Sequence, residues 1–374
     1  MSDDETLAPP PRNRRGLRTG FTTGSCAAAA ARAAMVALLM GTRPAEVTIH
    51  LPIGGTATFA PGEWQQGDGW TRCSVVKDAG DDPDVTHGAH IHARVEWVAE
   101  PGIHLAGGPG VGTVTRPGLG LEVGGPAINP VPRAMITAEV TEVAGQVLER
   151  CGLRITISVP GGEEMARKTL NGRLGIVGGI SILGTWGIVK PYSTASWRAS
   201  VVQAVDVAAA NGQDRVVLST GSRSEKFAMA LYPELEELAF VEMGIFTGDA
   251  LRACVRNKIR WAAIAGMVGK FAKLAQGHMQ THVAGNQVDT AFLAAIAAAC
   301  GAGAAVQEEI RGANTARHVG EIAAREGFAD SFYARLAALT REQCLAYVKG
   351  RLAVEAVLFD FDGRILAHAR GEKG

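Results

Sequence analysis

Between Thr194 and Gly269 the chain alternates helix-like and strand-like runs: "TASWRASVVQAVDVAAANG", "DRVVLSTG", "SEKFAMALYP", "AFVEMG", "GDALRACVRN" and "WAAIAGMVG". The strand runs are apolar at successive positions, so both of their faces must be covered. Helices alternating with such strands give a parallel sheet, and few other folds satisfy the pattern. Ala-rich helices continue to about Gly350, and "AVEAVLFDFDGRILAHA" closes the chain as a hairpin turning at Asp362-Gly363.

The first half has another rhythm. An Ala-rich helix runs from Ser25 to Met40 with Thr22, Thr23 or Ser25 as its cap. Four short β-like runs follow, "EVTIHLP", "TATFAP", "TRCSVVKD" and "HIHARVEWV", which makes an α+β beginning. The stretch "GGPGVGTVTRPGLGLEVGGPAINPVPRAMI" is too rich in Gly and Pro for regular structure and reads as a binding loop. A helix from about Pro132 to Arg150 and the strand "LRITISVP" complete this half. The chain of 374 residues divides into a mobile tail (1–16), an α+β domain (17–190), which the hairpin 351–370 can complete, and an α/β domain (191–350).

Lys plus Arg and Asp plus Glu both number 37, so no global charge draws the protein to nucleic acid or an acidic membrane, and local charges must hold any anionic ligand. The six cysteines show neither a CxxC nor a Cys/His cluster, which points to reduced thiols and away from a disulfide framework or a zinc site. Arg32, and later Lys270 and Lys273, interrupt the apolar runs, so no membrane span is expected. Arg14-Arg15 mimics an export signal, but Asp3, Asp4, Glu5 and Arg32 stand against one, and a cytoplasmic protein is expected.

"LRTGFTTGSCAAAAA" feeds a helix from a Gly-flanked loop, whose amides could hold an anion or simply start a capped helix. It is no Walker loop, because Ser25-Cys26 stands where Lys-Ser/Thr is required. Four carboxylates (Asp78, Asp81, Asp82 and Asp84) with His87, His90 and His92 form either a solvated or substrate-facing turn or a cation site, and the turn is preferred. Ser219, Thr220, Gly221, Ser222, Arg223 and Lys226 follow a strand at the position where open α/β sheets bind ligands, and they suit a carboxylate or phosphate. Gly244 to Asp249 repeat that arrangement, and the Gly178–Ser193 stretch adds Trp186 as a flat wall, with Lys190 and Tyr192. "FDFDG" resembles the nucleophile motif of haloacid-dehalogenase-type phosphatases, but too little chain follows Asp360 and Asp362 to complete that fold.

The succession "RTGFTTGSCAAAAA", "DAGDDPDVTHG", "GPGVGTVTRPGL", "GGPAINP", "GGISILGTWGIVKPYS", "STGSRSEK" and "MGIFTGDAL" resembles the CbiD family of cobalt-precorrin-5B C1-methyltransferases from about Leu17 to Ala367. Gly125 departs from the Glu often found there. The resemblance implies a smaller two-layer α+β domain joined to a Rossmann-like parallel-sheet domain. It also implies S-adenosylmethionine as methyl donor, a corrinoid substrate that carries the cobalt, and no metal held by the protein. Arg116, Arg133, Lys190, Arg223 and Lys226, with Thr22 and Thr23, become candidates for the ring and its carboxylates. Gly184, Thr185, Gly187, Ser219, Thr220, Gly221, Ser222, Gly244 and Asp249 become candidates for the cofactor, and His87 or Asp78 for relaying a proton. A non-catalytic corrinoid carrier and a phosphohydrolase built on "FDFDG" are the rival readings.

Overall fold

The computed structural model describes residues 16–281 and 288–371. The tail expected over residues 1–16 lies outside them, Gly16 excepted. The chain divides between Ser193 and Thr194 into two compact units.

The first unit is built on helix α1 (Thr23–Met40) and the strands β1 (Val47–His50), β2 (Thr56–Phe59), β3 (Gly62–Gly67), β4 (Trp70–Val76), β5 (His90–Val98), β6 (Ile103–Gly107) and β7 (Gly152–Ser158). β1 and β2 form a hairpin, and the other five make one sheet in the order β3-β4-β5-β7-β6, with β7 parallel to β6 alone. α1 packs on β4 and β5 with one side and on helix α2 (Pro130–Ala144) with another. Ala27 to Ala31 are all wholly buried. Five consecutive residues cover every direction around a helix, so α1 has no solvent face over this turn and lies inside the unit. The expected two-layer arrangement is therefore corrected to sheet, central helix and outer helix, and this unit is not the smaller of the two. Alanine makes the arrangement possible, since its methyl groups let sheet and helix backbones approach, as where Cys73 Sγ reaches Ala30 O at 3.2 Å.

By length and composition α1 could cross a membrane, contrary to expectation, because its single charge, Arg32, does not outweigh the alanines. Here 72% of it is buried inside the unit. The Gly- and Pro-rich stretch after β6 is only partly irregular: two-residue strands at Gly110–Val111 and Thr113–Val114 pair with Gly179–Ile180 and Ile176–Val177.

In the second unit, strands β8 (Arg215–Ser219), β9 (Phe240–Glu242), β10 (Trp261–Met267), β11 (Ala353–Phe359) and β12 (Ile365–Ala369) stand in the order β9-β8-β10-β11-β12. The first four are mutually parallel and β12 is antiparallel. Val216 to Leu218 and Ala262 to Ala265 are wholly buried at every position, as expected of strands covered on both faces. The C-terminal hairpin belongs to this sheet, β11 pairing with β10 from Trp261–Ala353 onward, and does not complete the first unit. Its turn is held by Asp360, whose Oδ1 accepts from Asp362 N and Arg364 N at 2.9 and 2.8 Å. All six cysteines are free thiols.

Candidate active site

In the first unit, the segment quoted first among the motifs ties two loops together. Gly20 and Phe21 pair with Val189 and Ile188, and Phe21 N donates to Asp78 O at 2.7 Å. Thr22 caps α1, its Oγ1 accepting from Ser25 N at 3.2 Å. Gly24 N donates to Leu183 O at 3.1 Å, Ser25 Oγ to Gly187 O at 2.6 Å, and Thr23 Oγ1 accepts from Leu183 N at 2.9 Å. The amides and hydroxyls that an anion would need at this helix start are engaged by the chain's own backbone, so the anion cradle gives way to a capped helix. The arrangement also brings Thr22 and Thr23 against Gly184 and Gly187. Gly184 holds φ at 138°, and a side chain there would run into Thr22. Thr185 and Lys190 are exposed on the same stretch, and Trp186 is 58% exposed.

Each carboxylate of the acidic loop is bonded within the unit. Both terminal nitrogens of Arg18 donate to Asp78, Nη2 to Oδ1 at 2.9 Å, and these bonds hold the Asp78 carboxyl below the usual range against some burial. Asp81 Oδ2 accepts from Arg18 N at 2.6 Å and Asp82 Oδ1 from Tyr192 N at 2.8 Å. His87, about half exposed, accepts the Ala79 N–H on Nδ1 at 3.0 Å, which leaves the proton of the neutral ring on Nε2. In this geometry Asp78 accepts from the Arg18 guanidinium, and His87, whose Nδ1 accepts from Ala79 N, presents an N–H.

Lys77 and Asp84 are different. Lys77 is 1% exposed, and its Nζ donates to Asp84 Oδ2 at 2.7 Å. Asp84 Oδ1 accepts from both Thr86 N and Thr86 Oγ1, at 2.8 and 2.6 Å. Burial pushes the Asp84 carboxyl up, but the charge and hydrogen bond of Lys77 and the two bonds from Thr86 outweigh it and leave it lowered. The pair lines a cavity of about 160 Å³ together with Thr22, Thr23, Thr86 and Asn171. In the sequence Lys77 looks like one more charge in a polar turn. Its signal is position, directly after the strand that ends in Val75-Val76.

The expected cations divide. Arg133 is tied to backbone at the start of α2, Nε donating to Ile128 O at 2.8 Å and Nη2 to Pro126 O at 3.3 Å. Arg116 is half-buried, its stem lying over Gly175. In the second unit Arg223 and Lys226 are exposed on helix α3 (Ser222–Leu231).

The strand ends of that unit do come together. Met243 N donates to Ser219 O at 2.9 Å and Thr220 N to Ala265 O at 2.9 Å. Lys270 Nζ donates to Thr220 O, and to Gly244 O at 3.3 Å; burial lowers its ammonium pKa, partly offset by Glu242. Gly244 takes φ 57° under the Trp197 ring. Ser219 is wholly buried and its Oγ turns to Val241 O at 3.4 Å, while Asp249 accepts from Arg252 at 2.7 Å. Gly221 is half-buried and Ser222 exposed beside them. Lys270 was read in the sequence only as a break in an apolar run, yet it stands three residues beyond the strand that ends at Met267.

Among the described residues, two groups of His and carboxylate side chains lie close enough to share a cation: Glu63, His90 and His92, and His50, Glu139 and Glu142. In the first, Arg72 Nε donates to His92 Nδ1 at 3.1 Å, so His92 Nε2 carries the proton and faces Glu63 Oε2 at 3.0 Å. In the second, Arg32 bridges Glu139 and Glu142 at 2.6 and 3.0 Å. Each group is bonded to a guanidinium of the chain, Arg72 in the first and Arg32 in the second.

These features define a mixed α/β protein of two units, with a largely apolar cavity beside the Lys77–Asp84 ion pair in the first and a lysine-bound set of strand ends in the second. The chain belongs to the CbiD family: the family's sequence profile matches residues 10–191, and the profile described as CbiD, C-terminal domain, matches residues 280–370. It is 50% identical over 356 residues to the cobalt-precorrin-5B C(1)-methyltransferase of Geobacillus kaustophilus, covering 95% of each chain. It is 53% identical over 352 residues to that of Salinispora arenicola, covering 94% of this chain and 92% of the relative. Among solved structures it is similar to the cobalamin biosynthesis protein (cbiD) from Archaeoglobus fulgidus, with 31% identity, TM-score 0.37, and coverage of 68% of this chain and 78% of that one.

Proposed function

We propose that this protein transfers the methyl group of S-adenosylmethionine to C1 of cobalt-precorrin-5B, on the oxygen-independent, early-cobalt route to cobalamin. The observation that carries the reading is identity of about half over nearly the full length of relatives so named. The sulfonium supplies an already activated methyl group, so the work left to the protein is alignment of the ring carbon behind it. The residues fit a donor with an amino-acid end: a buried ammonium and carboxylate stand at one cavity wall. The Gly184–Gly187 turn packed on Thr22 is the adjoining candidate surface in the first unit.

The second unit is read as Rossmann-like, with Thr220, Gly221, Ser222 and Gly244 at the strand ends that such sheets use for ligands. Arg223 and Lys226 in the second unit, exposed and without a hydrogen bond to the described residues, suit carboxylates of the ring, and exposed Lys190 is the corresponding candidate within the first unit. Arg133 is better read as a clamp on its own loop. Trp186 offers an exposed flat face to the macrocycle. The family's chemistry needs no metal beyond the cobalt of the substrate.

His87 is assigned the role of hydrogen-bond donor through Nε2. His87→Gln, whose amide also donates, is then expected to keep turnover within about threefold, and His87→Leu to lower it about tenfold or more at unchanged substrate binding. A proton relay would make both variants equally damaged, and rate measurements on the pair decide. The phosphohydrolase reading is disfavoured, since Asp360 Oδ1 holds its own turn and the relatives are named methyltransferases. Incubating the protein with S-adenosylmethionine and the cobalt-corrinoid intermediate, followed by mass spectrometry, tests the main reading. One added methyl group supports it, and bound but unmethylated pigment would establish a carrier instead.

A further inference from the structure

The pair of buried Lys77 and half-buried Asp84 has capacity it does not use. An ammonium has three donors, and Lys77 spends one on Asp84; the described residues offer no partner to the other two. Asn171 likewise spends one amide N–H, on Gly179 O at 3.1 Å. Leaving donors unmet at a buried wall is costly, so the cavity is shaped for something that accepts. The wall as a whole is electrically neutral, one ammonium against one carboxylate. An added anion would leave an unbalanced negative charge inside the unit, whereas a ligand bearing both signs would not. Size narrows the choice further. About 160 Å³ is the room of roughly five waters, enough for an ammonium, a carboxylate and the carbon joining them, with little beyond. A whole nucleoside or macrocycle does not enter, since sites for complete ligands run to about 300 Å³ and more.

We infer that this cavity receives the α-amino-acid end of the methyl donor, its carboxylate on Lys77 and Asn171 and its ammonium toward Asp84. The inference rests on the reading that a sulfonium amino acid is the donor. Because the threonines around it are saturated by backbone and by Asp84, the charged pair carries the recognition. Thr22 belongs both to this wall and to the packing against Gly184, so filling the cavity also fixes the turn beside it.

Binding of two nucleosides, measured by titration calorimetry, tests this without turnover. S-adenosylhomocysteine keeps the amino-acid end and 5′-methylthioadenosine lacks it. The wild-type protein is expected to prefer the former by at least about tenfold, the scale of one charge-assisted hydrogen bond. Lys77→Met is expected to remove the preference while binding of 5′-methylthioadenosine stays within about twofold. Should Lys77→Met misfold, Lys77→Met/Asp84→Leu removes both charges together, and Asn171→Ala weakens the site with no charge change. Equal binding of the two nucleosides by wild type, with no response to any variant, overturns the inference and leaves the donor assignment standing. Absence of binding by either nucleoside to wild type overturns the donor assignment and the inference with it. Loss of corrinoid binding in the variants, with the nucleosides unaffected, would give the cavity to a carboxylate arm of the ring and likewise overturn it.

Discussion

Gly20→Ala is expected to lower methyl transfer by about a hundredfold or more while leaving the helical and strand content of the protein in place. Gly20 is buried, and a methyl group there would overlap the backbone of Ala79 and Gly80. Backbone has no rotamer to change, so one of the two strands of chain must move. Gly80 faces it in the left-handed region, with φ at 67°, and there a side chain would strike Arg18 O and Thr19. Two glycines back to back therefore set how closely the Arg18–Phe21 segment approaches the acidic loop. Separating them breaks the Phe21–Asp78 backbone bond and pulls at both Arg18 anchors, Asp78 and Asp81. Lys77 precedes Asp78, and His87 hangs on Ala79 N, so cavity wall and exposed imidazole shift together. A displacement of about 1 Å near reacting groups costs on the order of a hundredfold in rate. The core of α1 and the sheet does not pass through this contact, which is why circular dichroism should change little. Gly172→Ala is the control, because it has open space and an ordinary backbone conformation. Turnover of Gly20→Ala within threefold of wild type would show that the loop tolerates the separation.

What the sequence made legible was what repeats locally. The parallel strands of the second unit could be read because Val216–Leu218 and Ala262–Ala265 are apolar at consecutive positions, and the cap at Thr22 because a hydroxyl precedes an alanine run. β3 escaped notice: "GEWQQG" has no apolar alternation, and its place as an edge strand comes from pairing with β4. The hairpin was recognised, but its sheet was not, since that depends on β11 meeting β10 some ninety residues earlier in the chain. The acidic loop shows the same limit at the level of side chains. Four carboxylates in seven positions look like a site, and nothing local reveals that Arg18 and Tyr192, far away in sequence, supply donors to three of them. Lys77 and Lys270 were passed over for the complementary reason: a lysine reads as exposed until the fold buries it.

Arg32→Met is expected to destabilise the first unit by about 3–5 kcal/mol, the cost of stranding a buried charge. Arg32 is the one charged residue on α1, and the carboxylate that answers it, Glu139 on α2, has a side chain only 3% exposed. Arg32 Nη1 meets Glu139 Oε2 at 2.6 Å, and His50 N donates to Glu139 Oε1 at 2.7 Å, so α1, α2 and β1 converge on one carboxylate. Removing the guanidinium leaves that carboxylate with the His50 amide and, at 3.3 Å, the His50 ring Nδ1 as its neighbours. For a unit of this length the loss corresponds to a melting transition lowered by about 10 °C, which scanning calorimetry would register. Arg32→Met/Glu139→Leu should recover most of the loss, because two apolar side chains replace two charges, and the remaining deficit is the unpaired His50 amide, about 1 kcal/mol. Glu142→Ala, which removes only the exposed partner of Arg32, should shift the transition little. A single variant that melts within 2 °C of wild type would mean that Glu139 finds water or another partner when Arg32 is gone. A double variant no better than the single would mean that the helices need the pair for register, and that its charge is incidental to stability. The same pair bears on α1 itself: a helix apolar enough to cross a membrane carries one arginine, and the carboxylate that matches it is presented only by α2 of the folded unit.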